Sequence, residues 1–318
     1  MDTNVAVVIP ARNAESTIQA TLKSVTECIG VAQIILVDDK STDDTRNIAL
    51  NFADPRIEVV DGPGTGIADA LNTGFDRIRT PYVMRCDADD TVPADRLQWQ
   101  VPILEEEEGR VAVSAGFETM LEGGVMCGTL ACTGESRDVT EILRDGSPVT
   151  SFCTWLTRTD VLREVGGARS WFRTAEDVDL MFRLAVKGQV IHVPRVSYHY
   201  LMHDASIVHS TSNSTRFFFD EHATKFVRDR CKTGSDALER GEGLPDWPPV
   251  AQGEMRPALE QGINHAIATA WLEAGRGDYR GALSRITNVK KLAPSDRRLW
   301  VNQLKIMAKR YLAGFKQR

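Results

Sequence analysis

Short, largely apolar runs recur through the first third of the chain. Val5-Ala6-Val7-Val8-Ile9, Gln33-Ile34-Ile35-Leu36-Val37, Arg56-Ile57-Glu58-Val59-Val60 and Pro81-Tyr82-Val83-Met84-Arg85-Cys86 are rich in strand-forming side chains. Continuous rather than alternating apolar positions suit strands covered on both faces, as in a parallel sheet. Between the first two runs, Ile18, Leu22, Val25 and Ile29 fall at three- and four-residue steps, with Gly30 as a stop. Thr45 to Phe52 is short and helix-compatible, and Ile67, Leu71, Phe75 and Ile78 mark another helical face. Strands alternating with helices predict right-handed βαβ units and an α/β fold, a mostly parallel sheet flanked by helices.

In such sheets ligands bind beyond the carboxyl ends of the strands. Three polar clusters fall there: Pro10-Ala11-Arg12-Asn13-Ala14-Glu15, Asp38-Asp39-Lys40-Ser41-Thr42-Asp43 and Asp87-Ala88-Asp89-Asp90. Each alone could cap a helix, but three on one sheet edge predict a site. The last cluster gathers carboxylates at a strand tip, a hard oxygen set suited to Mg²⁺ or Mn²⁺ arriving with a phosphate. Further on, Arg173-Thr174-Ala175-Glu176-Asp177-Val178-Asp179-Leu180 opens a helix that runs through Met181, Leu184 and Ala185 to Gly188. Acidic residues in a first helical turn are also favoured simply by the helix dipole.

Val8-Ile9-Pro10-Ala11-Arg12-Asn13-Ala14-Glu15, Val37-Asp38-Asp39-Lys40-Ser41-Thr42-Asp43-Asp44-Thr45, Asn72-Thr73-Gly74 and Asp87-Ala88-Asp89-Asp90, in that order, resemble the family 2 glycosyltransferases. The resemblance runs from about residue 4 to about 210. It implies the GT-A (Rossmann-like) fold and an inverting, non-processive, metal-dependent transfer of a hexosyl-type sugar. The donor would be a nucleotide-diphosphate sugar, UDP-linked, and the acceptor a hydroxyl of a surface glycan or lipid-linked glycan. By position, Pro10, Ala11, Arg12 and Glu15 would border the nucleoside, Asp39 would hydrogen-bond the base, and Asn72 belongs to the nucleotide side. Asp87 would lie near the ribose and Asp89 would ligate Mn²⁺ or Mg²⁺ on the diphosphate. Asp90 is read as a ligand neighbour or a cap. Asp177 would be the catalytic base, Glu176 its orienting or acceptor-binding neighbour, and Asp179 a surface residue.

Tyr198-His199-Tyr200-Leu201-Met202-His203-Asp204-Ala205-Ser206 resembles the segment after the family's last strand, where a histidine completes the metal shell. His203 matches it. An imidazole ligand is better suited to Mn²⁺ than to Mg²⁺, so that role predicts manganese preference. The sequence departs from the family in having Leu71 where many members carry an arginine before Asn72, a basic contact that Arg12 or Arg85 would then supply. It also lacks the Gln-x-x-Arg-Trp box of processive synthases.

A chain of 318 residues with 42% apolar content can bury one large core and carry a smaller unit. The expected organisation is a catalytic domain over 1–230, a linker over 231–256 and a helical C-terminal region over 257–318. That last region is read as a helical hairpin, Pro257 to Gly275 and Tyr279 to Leu292, followed by a basic amphipathic helix. No apolar stretch is long enough to span a bilayer, and the first strand starts too early to leave room for a signal peptide. The six scattered cysteines form no C-x-x-C and suit reduced thiols. Together these lead to an expectation of a cytoplasmic enzyme. The net charge of −6 argues against nucleic-acid binding, yet residues 285–318 hold ten Lys or Arg and one acidic residue, about +9, against about −15 elsewhere. There Leu299, Trp300, Leu304, Met307, Tyr311 and Leu312 recur at mostly helical spacing. The stripe could pack on the protein, lie peripherally on the inner membrane face, or pair copies of the chain. Two other functions compete: a nucleotidyltransferase, which would want a glycine- and lysine-rich loop where Pro10-Ala11-Arg12-Asn13 stands, and a non-catalytic nucleotide-sugar binder or assembly subunit.

Overall fold

The computed structural model describes residues 4–204, 213–247 and 257–315. They fall into two compact units. The first holds residues 1–116, 131–198 and 212–253, and the second holds 117–130, 199–211 and 254–318.

The first unit is built on a sheet whose parallel part follows the expected βαβ alternation. Its strands are β1 (Val5–Ala11), β2 (Val31–Asp38), β3 (Ile57–Asp61) and β4 (Tyr82–Arg85), joined by helices α1 (Ile18–Glu27), α2 (Thr45–Leu50) and α3 (Ile67–Phe75). β1 pairs in parallel with β2 and β4, and β2 with β3. Beyond β4 the sheet turns antiparallel. After α4 (Arg96–Glu105) come β5 (Arg110–Leu121), β6 (Val125–Leu130), β7 (Arg137–Asp138), α5 (Thr140–Arg144), β8 (Leu156–Arg158), α6 (Thr159–Glu164), α7 (Glu176–Lys187) and β9 (Gln189–Met202). The strand order is β3-β2-β1-β4-β8-β5-β9-β7, with β6 on β5. α8 (Asn213–Thr233) packs on α7 through Phe219, Phe226 and Val227. Ile18, Leu22 and Val25 of α1 are buried as expected, but α1 stops at Glu27 and leaves Ile29 52% exposed.

Register explains why the polar clusters meet. Ala11 lies opposite Asp38, Asp38 opposite Asp61, and Val8 opposite Arg85, so β1, β2, β3 and β4 all end at one edge. Gly74 lets α3 approach that edge, because a Cβ there would sit 2.4 Å from Val8 Cγ1. The glycine of Asn72-Thr73-Gly74 is thus a packing requirement.

The expected boundary at 230 does not describe the packing. Asp236 is fully buried in the first unit, where it accepts hydrogen bonds from Arg169 and Arg230 at 2.8 and 2.6 Å. The first part of the expected linker is therefore a packed segment, held by charge neutralisation. Residues 248–256 lie outside the described residues.

The second unit is not purely helical. The hairpin formed by the end of β5 and by β6 packs on α9 (Ala258–Gly275), which continues into α10 (Tyr279–Leu292) and α11 (Arg297–Phe315). Its core joins Leu121 and Cys127 of the hairpin to Ile263, Ala266, Ile286, Val289, Leu299 and Ile306. Among the described residues no helix is long and apolar enough to cross a membrane.

Candidate active site

Two loops at the sheet edge are zipped together by their own polar groups. Ahead of α1, Asn13 N donates to Ser41 Oγ at 3.0 Å, while Asn13 Oδ1 accepts from Thr42 N at 2.8 Å. Ala14 N donates to Thr45 Oγ1, and Glu15 N to Asp43 Oδ2. Glu15 Oε2 in turn accepts from Asp44 N at 3.0 Å. Asn13 and Lys40 hold positive φ, 53° and 63°, which turn the chain sharply at the two strand ends. Pro10 and Ala11 are buried beneath this clasp, and Arg12 is exposed on it. Asp39 is buried, its N–H bonded to Ala11 O at 2.8 Å and its Oδ1 accepting from Gly64 N at 2.6 Å. A Cβ on Gly62 would lie 2.7 Å from that same oxygen. Sequence reasoning passed over Gly62 and Gly64, although glycines directly after a third strand are a sign of close backbone approach.

The tip of β4 is organised by Arg85, which is 8% exposed. Its Nε donates to Asp87 Oδ1 at 2.6 Å and its Nη1 to Glu176 Oε1 at 3.2 Å. One buried guanidinium thereby links the β4 tip to the start of α7. The other Asp87 oxygen accepts from the Cys153 thiol at 3.3 Å, and Asp87 N donates to Tyr198 Oη at 2.9 Å. Thr17, just ahead of α1, and Thr21 within it both donate to Ala88 O and fix the turn. Asp89 is half-exposed and Asp90 is 1% exposed. Beneath the tip, fully buried Arg96 of α4 donates to Cys153 O and Trp155 O, each at 2.9 Å, and so holds the turn that carries the thiol.

At the opening of α7, Ala175 takes the left-handed conformation with φ 61°. Glu176 is 6% exposed, and Asp177 Oδ1 accepts from Val178 N at 2.8 Å. Burial first, and then the Asp177 charge, push the Glu176 carboxyl up to about 7 against the opposing pull of Arg85. Burial also raises Asp177, with Arg85 lowering it and Asp87 adding to the rise. Desolvation works against the Arg85 charge, yet Asp87, Cys153, Glu176 and Asp177 outweigh it and hold the guanidinium well above its ordinary value. The helix dipole favours ionised carboxylates at this terminus, but burial prevails. Asp220 of α8, missed in the sequence, feels the Asp177 charge and is itself raised, by burial first and then by Asp177. No local motif marks it; only the packing of α8 on α7 brings it near.

Two residues stand elsewhere than expected. Asp179 is not a surface residue: it is 1% exposed, accepts from Arg183 Nε at 2.8 Å and from Arg169 Nε at 2.9 Å, and completes a buried network with Asp236. Arg169, from the segment ahead of α7, and Arg183, one turn further along the same helix, require it there. Asn72 donates to Ala168 O and accepts from Ala168 N, both at 2.8 Å, so both ends of its amide tie α3 to the segment ahead of α7. His203 is half-buried just past β9, in the second unit, and Ser206 lies outside the described residues.

A cavity of about 440 Å³ opens between the N-terminus of α3 and the segment before α7, lined by Asp69, Ser170, Arg173 and Trp247 among others. The Arg173 guanidinium lies 3.7 Å over the Trp247 ring.

Among the described residues, no three His, Cys, Asp or Glu side chains gather closely enough to hold a metal by themselves. The donor chemistry still fits a hard divalent ion that arrives with its substrate. Mg²⁺-type sites commonly take one or two carboxylates and complete their shell with phosphate and water. At the strand tip Asp87 is held by Arg85 and Cys153, and Asp89, two residues on, is half-exposed.

Residues 6–166, just over half of the chain, match the family described as glycosyl transferase family 2. The putative glycosyltransferase EpsE of Bacillus subtilis is 30% identical over 193 residues, covering 58% of this chain and 67% of that protein. WfgD of Escherichia coli, a UDP-Glc:α-D-GlcNAc-diphosphoundecaprenol β-1,3-glucosyltransferase, is 31% identical over 102 residues, 31% of this chain and 40% of that one. The uncharacterized protein y4gI of Sinorhizobium fredii is 26% identical over 203 residues, 61% of this chain and only 22% of its own length. The chain thus spans less than two thirds of two of these three relatives. Among solved structures, S. aureus TarS in complex with UDP-GlcNAc aligns with a TM-score of 0.59 at 16% identity, over 96% of this chain and 88% of that one. The mannosyltransferase PcManGT of Pyrobaculum calidifontis, in complex with GDP-Man and Mn²⁺, aligns with a TM-score of 0.52 at 18% identity, over 100% and 88%. At these identities the structural likeness establishes the fold.

Proposed function

The chain belongs to glycosyl transferase family 2, and from that premise we propose that it transfers a sugar from a nucleotide-diphosphate donor to an acceptor hydroxyl in glycan synthesis, by a single displacement with inversion. The observation that carries this reading is the link through Arg85. It joins Asp87 at the sheet edge to the Glu176-Asp177 pair, 91 residues away from Arg85 at Glu176. A nucleotide-binding edge and a candidate base are thus parts of one electrostatic unit.

In this reading Asp39, Pro10, Ala11, Arg12 and Glu15 form the nucleoside end, with Asp39 oriented by Ala11 and Gly64. Asp87 lies on the ribose side, and Asn72 acts through the segment it holds. Asp89 would hold a divalent ion, and the ligand role that the family resemblance implies for His203 stays an expectation from the sequence. When bound, that ion would neutralise charge growing on the leaving diphosphate. Asp177 takes the acceptor proton as the hydroxyl oxygen attacks the anomeric carbon. Its raised affinity for a proton suits a base working near neutral pH. Glu176, held by Arg85, orients the acceptor. UDP is the favoured nucleotide because two comparison proteins are named with UDP-sugars, although a third is named with GDP-Man. A lipid-linked acceptor is supported by the diphosphoundecaprenol in the name of one relative.

The deciding experiment is calorimetric titration of UDP, GDP, CDP and ADP with Mn²⁺, with Mg²⁺ and with EDTA. We expect UDP to bind with Mn²⁺ and to lose that binding in EDTA, and Asp89→Ala to lose the metal-dependent part. Binding of no diphosphate under any condition would remove the donor reading. Metal-dependent binding that survives Asp89→Ala would move the ligand elsewhere.

A further inference from the structure

The last helix, α11, is divided between a buried edge and an uncovered apolar stripe. Leu299 and Ile306 are fully buried in the core of the second unit, whereas Trp300, Val301, Leu304, Met307, Tyr311 and Leu312 are 46% to 67% exposed. At helical spacing these six share one side, turned away from Leu299 and Ile306. Such a stripe is far more than the single exposed apolar residues that any surface tolerates.

The charges around the stripe are of one sign. Arg297, Arg298, Lys305, Lys309 and Arg310 belong to this helix, which contains no Asp or Glu. Among the described residues, Arg298 alone of these five enters a salt bridge, with Asp296 and more distantly Glu260. Lys290 of α10 adds to the rim, its ammonium 3.5 Å over the Trp300 ring. The rest of the chain is acidic, so the positive face is a local property and not a reflection of overall composition.

A second copy of the chain would cover the stripe poorly. A two-fold contact places the same patch on itself, and here it would bring one basic rim up to another with no acidic residue of the helix to offset it, at a cost from like charges. A lipid surface with anionic headgroups has no such conflict. The apolar stripe would sink into the boundary between headgroups and acyl chains while the basic rim meets the headgroups. We propose that α11 docks the protein on an anionic membrane surface. This rests on the second unit alone and does not depend on the sugar-transfer reading.

The test uses the purified full chain and vesicles of phosphatidylcholine alone or with phosphatidylglycerol, sedimented at low and high salt. The chain should pellet with the anionic vesicles, stay in solution with the neutral ones, and be released as salt screens the basic rim. Leu304→Gln/Met307→Gln and, separately, Lys305→Glu/Lys309→Glu should each lower partition by about tenfold or more. Both pairs are solvent-facing, so the helix content read by circular dichroism should not change. Wild-type protein that ignores anionic vesicles, or pellets equally with both kinds, overturns the proposal without any variant. A dimer in light scattering that Leu304→Gln/Met307→Gln dissolves, with no vesicle binding, would assign the face to a second copy instead.

Discussion

Burial and Arg85 pull in opposite directions on the proton affinities on which the candidate chemistry depends. Burial raises both Glu176 and Asp177, and the guanidinium holds part of that rise back. A base must be ionised to accept a proton, so transfer should rise with pH along a limb above the ordinary carboxylate range. Arg85→Gln should move that limb to still higher pH, and an unmoved profile would detach Arg85 from the base. Asp177→Asn should preserve nucleotide binding and reduce transfer by about 10²–10⁴-fold; a near-normal turnover would place the base elsewhere. Glu176 also has a stability consequence. Its native affinity is raised from 4.5 to about 7, so the folded state holds the proton more tightly than the unfolded chain. The stability this gives is fully present below about 4.5 and is lost as pH rises through about 7. Glu176→Gln cannot titrate, so its denaturant midpoint should fall less than the wild type's across that window. Parallel curves for the two proteins would count against the burial argument.

At the scale of elements, α3 and β1 pack closely enough beside the site for a single methyl group to matter. Gly74→Ala would push a methyl group against Val8, 2.4 Å away, and overpacking of this kind costs about 1–3 kcal/mol. Val8→Ala makes the room, so the double variant should be less destabilised than the sum of the singles. Additive urea midpoints would show that the strain is relieved elsewhere. The sequence makes this glycine visible as part of a motif but not its reason, because Val8 lies far away in the chain. The same limit separates what could and could not be read. Continuous apolar runs and helical spacing reveal the four parallel strands and the helices between them, since those signals are local. Asp87 and Asp177 are visible by type and position, but Arg85 as their shared partner depends on β4 and α7 meeting in space. Asp179 shows the reverse error: an acidic residue in a first helical turn reads as solvated, although Arg183 lies four residues on along the same helix and the fold brings Arg169 to it. Removing it with Asp179→Ala would leave the buried Arg183 guanidinium without its carboxylate and Arg169 with Asp236 alone, at a cost of about 3–5 kcal/mol by thermal or urea unfolding.

Across the whole molecule, the second unit draws on three separated stretches of chain, residues 117–130, 199–211 and 254–318. A reading along the sequence sees only the last of these, and so takes the unit for a helical C-terminal region after a linker. The hairpin forbids that. Leu121 and Cys127 are buried, and Gly262 of α9 lies so close that a Cβ on it would meet Leu121 Cδ1 at 2.8 Å and Cys127 Sγ at 3.1 Å. Thr129 N also donates to Thr269 Oγ1 at 3.2 Å, giving a hairpin backbone group its partner. A chain ending at residue 253 would keep the hairpin and lose α9, uncovering apolar side chains and leaving that N–H to solvent. Such exposed patches favour association. The truncated protein should therefore elute as aggregates and melt below the full chain, even though every residue proposed for sugar transfer in the first unit is retained. Gly262→Val should produce a milder form of the same defect by forcing the helix off the hairpin. A monodisperse truncated protein with an unchanged melting temperature would mean that the hairpin stands without its helix, and would restore the picture of a helical C-terminal region after a linker.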